Sequence, residues 1–209
     1  GVVNGLAVYG ANIGMLMELE VTAAPNSYGT GKFTVTGVVD EEEIASPGRT
    51  VRRKSMAKGS LDNVLTVLAK EFNIEYPKYD IHVNFPGGVP VDGPSAGVTV
   101  ATAIYSAIYN IPIDNTVAMT GEISIRGLVK PVGGVSAKVA AAKQAGARRV
   151  IIPKENWQEL YKDMDIEVIP VETLQEALKH AMIKTGEVLR QDVSAAMPDL
   201  LAAAGIEKV

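Results

Sequence analysis

The sequence predicts a mixed α/β (α+β) domain of several layers, and three observations predict it. Strand patterns open the chain before any helical pattern appears. Helical and strand patterns then alternate from residue 60 to about residue 183. A helical pattern at 95–110, SAGVTVATAIYSAIYN, is apolar almost all round, which places it between layers. The 209 residues are 47% hydrophobic and 21% charged, enough to bury a full core and too apolar for a disordered chain.

LAVYG (6–10) and GMLMELEVTAA (14–24) read as strands, and NSYGTG (26–31) as a turn into a third strand, KFTVTGVV (32–39). The three suggest an antiparallel start. DEEEIASPGRTVRRK (40–54) reads as a charged connector, acidic first and basic afterwards. Ser60 reads as the N-cap of a helix through LDNVLTVLAKEF. YDIHVNF (79–85) is a strand, and PGGVPVDG (86–93) a loop leading into the central helix. TVAMTG and EISIRG are short strands on either side of Gly121, and LVKPVGG (128–134) is a loop. VSAKVAAAKQAGA is a helix ending near Gly146, followed by the strand RRVIIP. KENWQELYKD reads as helical, IEVIP as a strand and ETLQEALKHAMIK as a helix. Two units are expected: a domain over 1–184 and an alanine-rich helical tail over 185–209, broken at Pro198.

Composition excludes several classes. With no cysteine there is no disulfide, thiolate zinc site or cysteine nucleophile. A formal charge of −4 argues against a protein built mainly to hold nucleic acid, and the basic run Arg49, Arg52, Arg53, Lys54 and Lys58 reads as a solvated face. No run of about 18 apolar residues spans a membrane and no signal peptide opens the chain. The first residue is Gly1, so the chain is expected to be a piece of something larger. No G-x-G-x-x-G follows a strand, and GTGK at 29–32 departs from a phosphate loop at Asn26 and Phe33. No nucleotide, metal or other cofactor site is expected here.

Three serine signals compete. Gly93-Pro94-Ser95-Ala96-Gly97 has the G-x-S-x-G form of a hydrolase elbow, but a loop precedes it in place of a strand. The required histidine would be His180, since His82 comes too early. Ser55-Met56-Ala57-Lys58 is an S-x-x-K without its partner motifs. The third signal pairs Ser95 with a distant lysine. Ser95 stands at a helix entrance, where unpaired amides could hold an oxyanion. Its base would be Lys138, one turn into the helix after Gly133 and Gly134. Val135, Val139 and Ala142 flank it, and burial and the positive helix end both push its pKa down. Lys143, nearer solvent by pattern, is the control. From spacing alone Lys138 is more often an ordinary snorkelling lysine.

DGPSAG (92–97), VAMTGEISIRGLVKPVGG (117–134) and the lysine followed by AGARRVIIPKEN (145–156) closely resemble the proteolytic domain of the Lon family of ATP-dependent serine proteases. VNGLAVYG and DIHVNFPGG fit its earlier part, so the resemblance runs over roughly 3–182. It implies a Ser–Lys dyad, with Ser95 as nucleophile and Lys138 as general base. Thr120 matches a threonine whose hydroxyl lies near the lysine amine. Asp92 matches an acidic residue that some archaeal-like members place near that lysine. The loop before Ser95 is a residue shorter than in A-type enzymes, which resembles the B-type branch of archaeal and spore-forming bacterial members.

The resemblance further implies a hexameric ring, unfolded or damaged protein substrates, and a cytoplasmic location that allows a membrane anchor outside this chain. It also implies an AAA+ module upstream, which would hold ATP and magnesium and is absent from this sequence. The alternative implied is a non-catalytic Lon-like module for oligomerisation or binding, as in some DNA-repair ATPases. Such modules lack the serine and lysine together.

Overall fold

A computed structural model describes residues 1–9, 13–37, 56–87 and 93–183, together with the backbone of 41–46 and 49–54. The first three strands are β1 (Val2–Tyr9), β2 (Ile13–Pro25) and β3 (Phe33–Thr36). β4 (Glu41–Ser46) and β5 (Arg49–Lys54) precede α1 (Met56–Phe72), β6 (Tyr79–Asn84) and α2 (Gly97–Tyr109). Then come β7 (Val117–Met119), β8 (Glu122–Ile123), β9 (Val129–Lys130) and α3 (Val135–Gln144). β10 (Arg149–Pro153), β11 (Glu167–Val171) and α4 (Leu174–Ala181) close the described chain.

Seven strands form one mixed sheet in the order β11-β10-β7-β1-β2-β6-β3. β1 pairs antiparallel with β2 and parallel with β7, so it joins a parallel half to an antiparallel half. Alternation along the strands divides the interior into two cores. Val117, Met119 and Ile151 face α1, α2 and α4. Ala118, Val150 and Ile152 face α3 on the other side. α2 is buried along ten of its thirteen residues, which explains its all-round apolar sequence. α3 lies on the sheet backbone itself: a Cβ on Gly14 would stand 2.1 Å from the Ala137 carbonyl oxygen. The rest of that face, toward β6 and β3, carries Glu18, Glu20, Thr22 and His82, all exposed.

Five expectations are corrected. The segment 40–54 is not a plain connector: β4 and β5 pair antiparallel, with Glu41, Glu42 and Glu43 in register with Lys54, Arg53 and Arg52. Opposite charge across a pair of strands favours pairing without any apolar alternation. β3 does not continue the antiparallel start but lies parallel to β6 at the sheet edge. Ser60 is not a cap: α1 begins at Met56, and Ser60 is buried within it. Residues 154–163 form two short 3₁₀ turns instead of a helix, because Trp157 leaves the helical path and packs on Tyr161 with ring centroids 5.8 Å apart. The expected loop 128–134 contains β9, paired with β8. No helix among the described residues is long and apolar enough to cross a membrane. The expected tail, 185–209, lies outside the described residues.

Candidate active site

The chain enters α2 through a 3₁₀ turn, Pro94–Ala96, that carries Ser95. Gly93 begins this turn at φ 126°, a backbone conformation that L side chains rarely adopt. Pro94 follows at the first helical position, where its missing N–H costs nothing. The turn is tied to the segment after β7. The Ser95 carbonyl accepts from the Gly121 N–H at 2.9 Å and from the Thr120 hydroxyl at 3.3 Å. The Val98 N–H donates back to the Gly121 carbonyl at 3.0 Å. Gly97 allows this approach, since a Cβ there would stand 2.8 Å from the Ile123 nitrogen.

Lys138 comes from the opposite face. Gly134, at φ 68°, turns the chain into α3, and a Cβ there would meet the Val8 side chain at 2.5 Å. Lys138 stands in the first turn of α3 and is 3% exposed. Val135, Val139 and Ala142 around it are buried, as their spacing predicted. Its Nζ donates to Thr120 Oγ1 at 3.0 Å. Among the described residues no carboxylate pairs with it. Burial pushes the Lys138 pKa down to about 8. Lys143 is half exposed and pairs with Asp165 at 3.5 Å.

Thr120 joins the two halves. Its hydroxyl proton goes to the Ser95 carbonyl, and its oxygen accepts from Lys138. A neutral lysine amine that gives one N–H to Thr120 keeps its lone pair for another partner. No hydrogen bond joins the Ser95 hydroxyl to Lys138 in this structure, and among the described residues that hydroxyl has no hydrogen-bond partner. Such contacts are commonly open without substrate and tighten when it binds.

The remaining candidates stand elsewhere or outside the described residues. Asp92 lies outside them, as does Ser55 of the S-x-x-K. The side chains of Arg49, Arg52, Arg53 and Lys54 also lie outside them. His82 is on the open sheet face, with its Nε2 3.1 Å from the Thr36 hydroxyl. His180 is in the last turn of α4, where its carbonyl accepts from Arg149. Arg149 is in register with Val117, at the end of β7 away from Thr120. In GTGK the Gly31 and Lys32 amides bind the Pro77 carbonyl and the Asp80 carboxylate. No group of three or more His, Asp or Glu among the described residues could hold a metal ion. Sequence reading missed Ser60, whose hydroxyl donates to the Pro94 carbonyl at 3.4 Å. Its signal was periodicity, since Ser60 stands four residues before Val64 and seven before Val67 on the apolar stripe.

Residues 1–184 match the family described as the Lon protease (S16) C-terminal proteolytic domain. The chain is 58% identical over 186 residues to Lon protease 2 of Bacillus subtilis, covering 88% of this chain and 33% of that protein. It is 40% identical over 194 residues to the archaeal Lon protease of Methanothermobacter thermautotrophicus, covering 90% and 28%. With the Lon protease of Rhizobium meliloti it shares 39% identity over 215 residues, covering 96% and 24%. The chain thus spans a third or less of the length of these relatives. The first two accord with the branch expected from the short loop before Ser95.

Proposed function

The chain belongs to the Lon protease family, as its C-terminal proteolytic domain, and from that premise we propose that it is a serine endopeptidase module with Ser95 as nucleophile and Lys138 as general base. One observation carries the assignment of roles: a buried lysine amine and the Ser95 turn share a single partner, Thr120. A buried lysine with its pKa near 8 is costly in a purely structural module and useful in a base. This disfavours the non-catalytic alternative.

The chemistry follows from the groups. Neutral Lys138 takes the proton of the Ser95 hydroxyl as the oxygen attacks the peptide carbonyl. The oxyanion forms against the N–H of the Ser95 turn, at the positive end of α2. The Lys138 ammonium then gives its proton to the departing amine, leaving an acyl-enzyme. Water attacks the ester, Lys138 takes its proton and returns it to the departing Ser95 oxygen, and the carboxylic acid product leaves. Thr120 orients the amine throughout. Asp92, next to the turn in sequence, is assigned a tuning role on the lysine.

The relatives are about three times longer than the matched region, which fits an upstream ATPase module. The larger assembly would be a cytoplasmic hexameric ring that feeds unfolded or damaged proteins to this module, with nucleic acid no primary partner. ATP and magnesium belong to the absent module in this reading.

The test is hydrolysis of a fluorogenic peptide by three variants. Ser95→Ala and Lys138→Ala should each lose activity, and the double variant should be no worse than either, because the pair acts as a unit. Lys143→Ala should be nearly silent. A folded Ser95→Ala protein that still turns over, or an essential Lys143 beside a dispensable Lys138, would refute the assignment.

A further inference from the structure

Among the described residues the buried polar side chains are Ser60, Thr99, Thr102, Ser106, Thr120 and Lys138. Thr120 and Lys138 belong to the proposed machinery. Ser60 also reaches it, from the other side of the turn and from a different helix. A hydroxyl on the apolar stripe of α1 is costly unless it is used. Ser60 directs its hydroxyl out of its own helix, to the carbonyl of Pro94. The fit is close, since a Cβ on Gly97 would stand 3.2 Å from Ser60 Oγ.

The Pro94 carbonyl and the Ser95 N–H belong to one planar trans peptide and point in opposite directions. Holding that carbonyl toward α1 aims the Ser95 N–H away from it. The Gly97 N–H supplies a second donor to the same carbonyl. The next peptide plane is held in the same way, through the Ser95 carbonyl, by Gly121 and Thr120. Both planes that flank Ser95 are therefore fixed through their carbonyls.

We infer that Ser60 is a positioning residue for the proposed hydrolysis: its hydroxyl fixes the Pro94–Ser95 peptide plane and so aims the Ser95 N–H at the oxyanion of the tetrahedral intermediate. The inference rests on the assignment of Ser95 as nucleophile. At 3.4 Å the bond is long. It strengthens when the Ser95 N–H donates to an anion, because that polarises the peptide and makes the Pro94 oxygen a better acceptor. The gain falls in the transition state and not in the ground state. Ser60 therefore acts on kcat and leaves KM alone.

The test uses Ser60→Ala and the hydroxyl-keeping Ser60→Thr, with peptide kinetics and inhibition by a peptide boronic acid, which forms a tetrahedral adduct on serine. Ser60→Ala should lose about tenfold in kcat with KM unchanged, less than the loss of a direct oxyanion donor. Boronate affinity should fall by the same factor, while affinity for the product peptide should hold. The rise of rate with pH should stay near pH 8, because Lys138 is untouched. Ser60→Thr should restore most of the loss. If Ser60→Ala does not fold, Ser60→Cys, similar in size and a poor donor, takes its place under the same readouts. Wild-type kcat in the hydroxyl-free variant overturns the inference. So does a kcat loss without weaker boronate binding, or with a moved pH limb. An inert Ser95→Ala beside a fully active Ser60→Ala sinks this inference alone. An active Ser95→Ala sinks the nucleophile assignment instead.

Discussion

Lys138 sets a measurable opposition between stability and activity. Burial brings its folded-state pKa to about 8, from an ordinary value of 10.5. Below pH 8 folded and unfolded chains both hold the proton, and the folded chain bears the full cost of a buried ammonium. Between these two values the unfolded chain holds the proton and the folded chain does not, so stability rises with pH. The full span corresponds to about 3 kcal/mol. Lys138→Met should therefore unfold at higher urea than wild type at pH 7, by on the order of 1–3 kcal/mol, and the gap should narrow by pH 10. The same variant should not hydrolyse peptides. In wild type the rate should climb through about pH 8, because only the neutral amine accepts the serine proton. A pH-independent stability gap, or a flat rate profile, would contradict a buried titrating lysine. The apolar setting of Lys138 was legible in the sequence from Val135, Val139 and Ala142, but its burial was not, since the same spacing suits a lysine that reaches solvent. Ser60 was not, because a serine before a leucine and an aspartate looks like a helix cap until the true start of α1 is known.

At the level of elements, long periodic segments and the short strands around Gly121 were readable, while the charged pair β4–β5 and the strand β9 were not. α2 was legible because its apolar character runs through thirteen residues. β9 has two residues, too few for any period to register, and it was read as part of a loop. The partners in the β4–β5 register lie about ten residues apart, a non-local relation that a window of pattern cannot show. α2 also holds a polar group without a hydrogen-bond partner among the described residues, Thr102 Oγ1, which is fully buried. Valine has nearly the same shape and no hydroxyl to desolvate, so Thr102→Val should stabilise the domain by about 1 kcal/mol. Thermal unfolding measures this, and peptide turnover should not change. A lower melting temperature would show that the hydroxyl has a partner after all.

For the whole molecule, the class of fold followed from the order of patterns, but the strand order did not. β1 joins β7, more than a hundred residues away, and β3 crosses to the far edge beside β6. Pairing at such separations is set by which faces can be buried together, not by local sequence. The chain also spans a third or less of its relatives, and the Gly31 and Lys32 amides of its one phosphate-loop-like segment are taken up by Pro77 and Asp80. The isolated domain should therefore cut unstructured peptides and leave a folded reporter protein intact. ATP should change neither rate. Stimulation of the purified domain by ATP would refute this division of labour.

The Ser95 turn and Lys138 hang from opposite faces of one sheet, each packed into its own core. On the proposed dyad, hydroxyl and amine meet only after both layers have docked. During synthesis Ser95 leaves the ribosome more than forty residues ahead of Lys138, and the lysine helix must still settle on the backbone at Gly14 before its amine reaches Thr120. On that proposal a half-made chain would hold the nucleophile without its base and would not attack itself or its neighbours. The ability to cut arrives together with the completed fold.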